Sequence, residues 1–368
     1  MKITIPPHIQ NLTPYKPGRS IADVAKEFQV ERWIKLASNE NPRGLAPKAK
    51  KGIEASLENL HIYPHPRTPQ LVEKLASQLQ KKPEEIVVTS GVDSLLAYIN
   101  MAFVGKGEEI LTSDGSFIGT YVNAKKLRIP IQTVPLKNYA YDLEAIQKAI
   151  TEKTKLIYLA NPNNPTGTML SKDELLHFLS NVSEHIVVVL DEAYFEYAKD
   201  FDDYPNGVEL LDQFENVIVT RTMSKAYGMA GLRVGYGIAD AEMIQEIMKV
   251  KLPFEPASIS EMAAVFALDD EAFLQETIQI NREGMLYFTK KLDDMKLPFV
   301  RKSYANFLML ILKNEKKALE FTQKCLEKGL ILRHLDRFGI PEGVRINTGT
   351  MEENQMAIAI IEKVWKSM

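Results

Sequence analysis

Apolar positions along this chain follow two alternating rhythms. Short, continuous apolar or β-branched runs fall at residues 86–89, 109–112, 129–134, 156–160, 186–190 and 216–220, and 234–238 adds another. Between most of them the spacing turns helical, as in Leu71, Leu75 and Leu79, the apolar run through Phe103, and Leu143, Ile146, Gln147 and Ile150. Strand-like runs alternating with i, i+3, i+4 stripes predict an α/β open sheet, mostly parallel, covered by helices in three layers. The unbroken run at 186–190 is what a strand buried on both faces requires.

Downstream the rhythm changes. Residues 241–251, 258–268 and 271–292 read as helices, the last long enough to join two lobes. Strands at 299–301, 307–312 and 330–332 with a helix at 316–328 predict a smaller α/β C-terminal lobe. At the other end, proline-punctuated segments precede Ile21, Val24, Ala25 and Phe28, whose spacing predicts a short helix within 21–33. Such an arm needs another surface to pack on. The expected division is an arm at 1–35, a large domain at 36–275 and a small domain at 276–368.

Bulk properties narrow the functional classes. A chain of 368 residues exceeds what one compact core normally holds, in keeping with two lobes. With 45 basic and 48 acidic residues, the formal net charge of −3 gives no electrostatic case for nucleic acid or an anionic membrane. The first residues lack the apolar core of a signal peptide, and no apolar run approaches membrane-spanning length. Cys325 is the only cysteine, which excludes an internal disulfide and points to a cytoplasmic protein. The six histidines show no ligand spacing, so no metal is expected.

The candidate chemistry sits just past the strands. After the run at 216–220 come Thr222, Ser224, Lys225, two glycines and Arg233. A lysine amine with a depressed pKa forms Schiff bases with carbonyl compounds, and the hydroxyls and the arginine are the types that hold a phosphate beside it. The run at 156–160 leads into Asn161-Pro162-Asn163-Asn164-Pro165-Thr166-Gly167, and 186–190 into Asp191-Glu192-Ala193-Tyr194. An aspartate there suits a ring nitrogen, with a tyrosine in reach of the same ring. Ser90-Gly91-Val92-Asp93-Ser94 opens a helix, so its free N–H groups and dipole face an anion. In open α/β sheets ligands gather outside the carboxyl ends of the strands, so Gly91, Phe117, Asn164, Asp191 and Lys225 are expected to share one pocket. Gly235-x-Gly237 is no dinucleotide signature, lacking the third glycine.

The ordered set Asn-Pro-Thr-Gly at 164–167, Asp191-x-x-Tyr194, Ser224-Lys225 and Arg233 resembles the fold-type-I pyridoxal-phosphate aminotransferases, and among them the histidinol-phosphate aminotransferases. The likeness runs from residues 13–18 to 345–350 and implies an aspartate-aminotransferase-like fold. It also implies pyridoxal 5'-phosphate held on Lys225 as a Schiff base, with Lys225 then shuttling the substrate proton. Asp191 would keep the pyridine nitrogen protonated, Asn164 and Tyr194 would bond the 3'-oxygen, and Phe117 would stack on the ring. The phosphate would lie among Gly91, Val92, Asp93, Ser94, Thr222, Ser224 and Arg233. Tyr63 would reach it from a neighbouring subunit, making a homodimer. Tyr15, Asn39, Arg333 and Arg345 would meet the amino donor or keto acceptor. Two positions depart from the family pattern: Val92 stands where serine is common and Ser94 where glutamate is common. Ser94 is expected to compensate for the hydroxyl missing at 92.

The implied reaction is amino transfer between histidinol phosphate and 2-oxoglutarate, giving imidazole-acetol phosphate and glutamate in ping-pong order. An aromatic amino-acid transaminase is the nearest alternative. A phospho-amino-acid decarboxylase would use the same lysine and aspartate, and a non-catalytic binding protein would hold no aldehyde cofactor.

Overall fold

The computed structural model describes residues 3–10, 12, 14, 20–28 and 30–368. Its strands, in chain order, are β1 (Ile34–Lys35), β2 (Ile86–Thr89), β3 (Glu109–Ser113), β4 (Ile131–Val134), β5 (Thr154–Ala160), β6 (Val187–Asp191), β7 (Val217–Thr222) and β8 (Gly235–Ile238). They continue with β9 (Phe307–Ile311), β10 (Leu330–Ile331), β11 (Arg333–His334) and β12 (Gly343–Asn347). Seven of them form one sheet in the order β2-β8-β7-β6-β5-β3-β4. All its pairings are parallel except those of β8, which runs antiparallel to both β2 and β7.

The registers explain why one site can collect residues distant in sequence. Ala160 lies opposite Asp191, Asp191 opposite Thr220, and Thr222 opposite Gly235, which in turn faces Thr89. The carboxyl ends of β2, β5, β6 and β7 therefore stop at one edge. Every residue of β6 and β7 is buried, so polar side chains at that edge leave the core only there.

β9, β11 and β12 make a separate antiparallel sheet, while β10 pairs in parallel with β1. The 24-residue helix Glu271–Asp294 spans the two parts of the fold. Phe273, near its start, belongs to the core beside the large sheet, and Phe288 and Leu292 belong to the core around β9 and β12.

Three expectations are corrected. The helix expected within 21–33 is the single turn Ile21–Val24, capped by Ser20, and strand pairing follows from Ile34, whose N–H donates to the Gly329 carbonyl. The strand expected at 299–301 is one bridge, Phe299 to Leu310. Strand pairing at the start of β4 begins at Ile131, after Pro130, which has no N–H to donate.

Candidate active site

A cavity of about 450 Å³ opens at the carboxyl edge of the large sheet. Ten of the expected residues line it: Val92, Asp93, Phe117, Asn164, Asp191, Tyr194, Thr222, Ser224, Lys225 and Arg233.

Asp191 is 3% exposed. It accepts hydrogen bonds from the Tyr158 hydroxyl at 2.6 Å and the Thr220 hydroxyl at 3.1 Å. Burial pushes its carboxyl up to about 6, against the pull of those two donors. Sequence reasoning finds Asp191 but neither donor. Tyr158 is an inward residue of β5 with no polar neighbour in sequence, and only the register with β6 brings the two together.

Lys225 lies three residues past β7, in a loop that Gly228 folds back through its N–H to the Lys225 carbonyl. Among the described residues its ammonium donates only to the Ser38 carbonyl, at 3.4 Å. Burial, then the Arg345 charge, pulls it down to about 8. A larger share of neutral amine near neutral pH is what a carbonyl-binding lysine needs.

Two side chains of the cavity wall keep a hydrogen-bond donor unspent. The Tyr194 oxygen accepts from the Asn39 amide at 2.7 Å, which leaves its own O–H to donate elsewhere. The Asn164 oxygen accepts from Arg345, which leaves its amide N–H₂ to donate. Asn39 also holds its backbone on the Asn347 oxygen at 3.0 Å, in a positive-φ conformation that asparagine tolerates.

The anion end is built by Gly91 and Arg233. Gly91 has φ +87°, and a Cβ there would lie 2.5 Å from the Arg233 guanidinium. Only glycine lets the start of the helix Val92–Phe103, with its unsatisfied N–H groups, come against that cation. The Arg233 guanidinium donates to the Ser224 hydroxyl at 3.3 Å and lies 3.8 Å from Asp93. Thr222 is spent locally: its hydroxyl donates to the Val234 carbonyl and accepts from the Ser224 N–H.

Other expected residues fall outside the cavity wall. The Ser94 hydroxyl donates to the Ser90 carbonyl one turn back, at 3.1 Å, so it does not compensate for Val92. Arg345 is buried one layer behind, held by Asn164 and by the Ala37 carbonyl, with the Phe307 and Phe338 rings 5.2 and 5.8 Å away. Arg333 is its cross-strand partner, half-buried over Phe338. Tyr63 is 79% exposed and stacks on Phe254 at 4.7 Å, away from this cavity. Tyr15 lies outside the described residues. Sequence reasoning misses Ile118, Val122 and Lys126, which line the cavity from the helix Ile118–Leu127. Their helical spacing was the available signal.

Comparison with known proteins places this arrangement. The family model for aminotransferase class I and II matches residues 31–361. Histidinol-phosphate aminotransferase of Caldicellulosiruptor saccharolyticus is 40% identical over 97% of this chain and 98% of its own. The crystal structure of histidinol-phosphate aminotransferase from Sinorhizobium meliloti in complex with pyridoxal-5'-phosphate superposes with a TM-score of 0.90 at 27% identity, covering 99% and 98% of the two chains. A double mutant of Thermus thermophilus aspartate aminotransferase shares the fold, with a TM-score of 0.86 at 22% identity over 98% of this chain and all of that one. With its strand-end cavity, half-buried lysine, buried aspartate and near full-length likeness, the chain belongs to the aminotransferase class I and II family, as a relative of histidinol-phosphate aminotransferases.

Proposed function

We propose that this chain moves an amino group between histidinol phosphate and 2-oxoglutarate with pyridoxal 5'-phosphate as its cofactor, a step of histidine biosynthesis. One observation carries the reading. The half-buried Lys225 amine, the buried Asp191 carboxylate and the unspent donors of Asn164 and Tyr194 converge on one cavity, with Arg233 in its wall.

The residues present fit the cofactor. Asp191 takes the ring nitrogen, Asn164 and Tyr194 the 3'-oxygen, Phe117 the ring face, and Ser224, Arg233 and the N–H groups after Gly91 the phosphate. Bound there, pyridoxal phosphate supplies the electron sink that lets the substrate Cα give up its proton. Lys225 would hold the aldehyde carbon, and its amine is the base that would take that proton and return it. Burial suits both tasks, since it keeps the amine more often neutral. Asn39 holds the Tyr194 oxygen, and Arg345, kept in place by Asn164 and Ala37, takes an anionic group of the substrate. Arg333 and Tyr15 serve its distal end.

The reading includes a homodimer in which Tyr63 reaches the phosphate of the neighbouring site. Tyr63 and Phe254 are joined on the surface by Ile62 and Leu252, each more than half exposed. The Lys251 ammonium pins the two loops together through the Pro66 and Glu255 carbonyls at 3.1 and 2.7 Å. Such a pinned apolar patch is suited to burial against a second copy. Arm 1–35, large domain 36–275 and small domain 276–368 are its working parts, and the cytoplasm, its place of work, suits the single buried Cys325.

Single amino donors added to the yellow holoenzyme test the assignment. Bleaching of the visible band by glutamate and histidinol phosphate, with little by phenylalanine, is the expected result. Bleaching mainly by phenylalanine or tyrosine would transfer the protein to the aromatic transaminases. Carbon dioxide release without keto-acid formation would make it a decarboxylase.

A further inference from the structure

A second and larger cavity, of about 830 Å³, lies against the long helix Glu271–Asp294. That helix gives it one stripe, Asn281, Arg282, Met285, Leu286 and Thr289. The opposite walls are Phe201 and the segment 301–305, where Tyr304 meets Phe201 edge-on at 4.8 Å. Leu286 is 72% exposed and Phe201 42%, so the groove has an apolar floor and an aromatic wall open to solvent.

Its charge is unbalanced. Arg282, Arg301 and Lys302 line it, with Asp200 in the lining and Asp293 beside Arg301 as their counter-charges. Arg282 is paired with Asp200 and Arg301 with Asp293, both at 2.7 Å, while Lys302 makes no ion pair among the described residues. Tyr197 also lines the groove. Its ring is 4% exposed, yet its hydroxyl makes no hydrogen bond to any described residue. The ring is packed away while the hydroxyl opens on the groove, free to donate to what enters it.

We propose that this groove is a second small-molecule site, which takes an aromatic anion: a planar ring against Tyr304, Phe201 and Leu286, and a phosphate or carboxylate at Lys302 and Arg301. The Tyr197 hydroxyl donates to the same ligand. Occupancy is felt in the catalytic cavity, because the groove wall is also a wall of the loop that carries Asn164. The Tyr304 N–H donates to the Gly167 carbonyl at 2.8 Å, and the Gly167 N–H donates to the Asn163 carbonyl at 2.7 Å. Gly167, at φ +79°, is pressed so closely that a Cβ would lie 2.1 Å from the Ser303 hydroxyl. Linkage then requires that groove ligand and amino donor alter each other's affinity by the same factor.

Calorimetric titration of the full-length holoenzyme with phenyl phosphate tests this without relying on amino transfer. The expected isotherm contains a component that Lys302→Glu weakens by about tenfold or more, the scale of one charge-assisted hydrogen bond. Tyr304→Ala weakens the same component, and inorganic phosphate fails to reproduce it. Neither variant touches the catalytic residues, so both keep their basal activity. A shift of KM for glutamate at saturating phenyl phosphate, absent in Lys302→Glu, supports the coupling. Three results would overturn the site: no change of the isotherm in Lys302→Glu, equal binding of inorganic phosphate, or a single component that competes with the amino donor. Binding in the groove with KM unmoved would overturn the coupling.

Discussion

Asp191 and Glu192 are adjacent, equally buried carboxylates at the end of β6, and they live in opposite electrostatic worlds. Successive residues of a strand face opposite sides. Asp191 faces the cavity, where two hydroxyls and the Ala193 N–H meet it and, among the described residues, no cation pairs with it. Glu192 turns into the protein. There the Arg221 guanidinium donates to it twice, at 2.9 and 2.7 Å, and the Gly207 N–H donates at 2.7 Å. Arg221 is completed by the Asn206 oxygen and the Phe195 ring, 3.4 Å from its guanidinium carbon. Burial pushes both carboxyls up, but at Glu192 the Arg221 charge pulls strongly back. A carboxylate neutralised in place holds structure together. One met only by neutral donors keeps its demand for a positive partner, and a protonated ring nitrogen would meet that demand.

The sharpest break of this comparison is Asp191→Asn. The amide fills the same space but does not hold a proton on a ring nitrogen, so kcat should fall by about 10²–10⁴-fold, the usual scale of misplaced acid–base chemistry. Stability should not fall with it. The raised pKa means that ionising Asp191 costs the fold, a loss that accumulates as pH rises from 3.8 through about 6. At pH 7 the neutral amide escapes that loss, and Tm by calorimetry should be unchanged or higher. A large drop in Tm would erase the distinction between the two carboxylates.

Glu192→Ala should do the reverse. It leaves Arg221 buried without its counter-ion, at a cost of about 3–5 kcal/mol in urea unfolding. The folded fraction should keep kcat within a few-fold, and adding Arg221→Met should recover part of the loss.

Tyr158→Phe is a smaller perturbation of the catalytic member alone. Losing that hydrogen bond, worth about 1.5–3 kcal/mol to a charged group, should move the acid limb of the kcat/KM profile to higher pH. The shift has this sign because the donor holds the Asp191 pKa down. An unmoved profile would leave Asp191 without its assigned role.

The mildest test alters no residue. Cofactor uptake by the apo-protein needs neutral Lys225, so its rate should climb with pH and level off near 8. An ordinary lysine would keep climbing to about 10.4. A midpoint near the ordinary value would mean that Lys225 is not desolvated as its burial implies.

Much of this was legible in the linear chain. Unbroken apolar runs mark strands covered on both faces, and the residues just past each run must sit at the sheet edge, so Asn164, Asp191, Tyr194 and Lys225 declared themselves by position. Tyr158 did not, because an inward tyrosine of a buried strand looks like core packing until register places an aspartate beside it. Ser94 misled for a local reason: a hydroxyl in the first turn of a helix has a carbonyl four residues back within reach. Thr222 obeyed the same logic, satisfying its own turn.

The sequence by itself determined the order of strands and helices, the buried faces and the residue types at the strand ends, since these come from periodicity and side-chain chemistry. Tertiary structure alone decided which carboxylate receives a cation and which lysine is stripped of water. It also decided that the start of the long helix serves one core and its end another. Those outcomes depend on register and burial, which arise only when segments far apart in the chain are packed together.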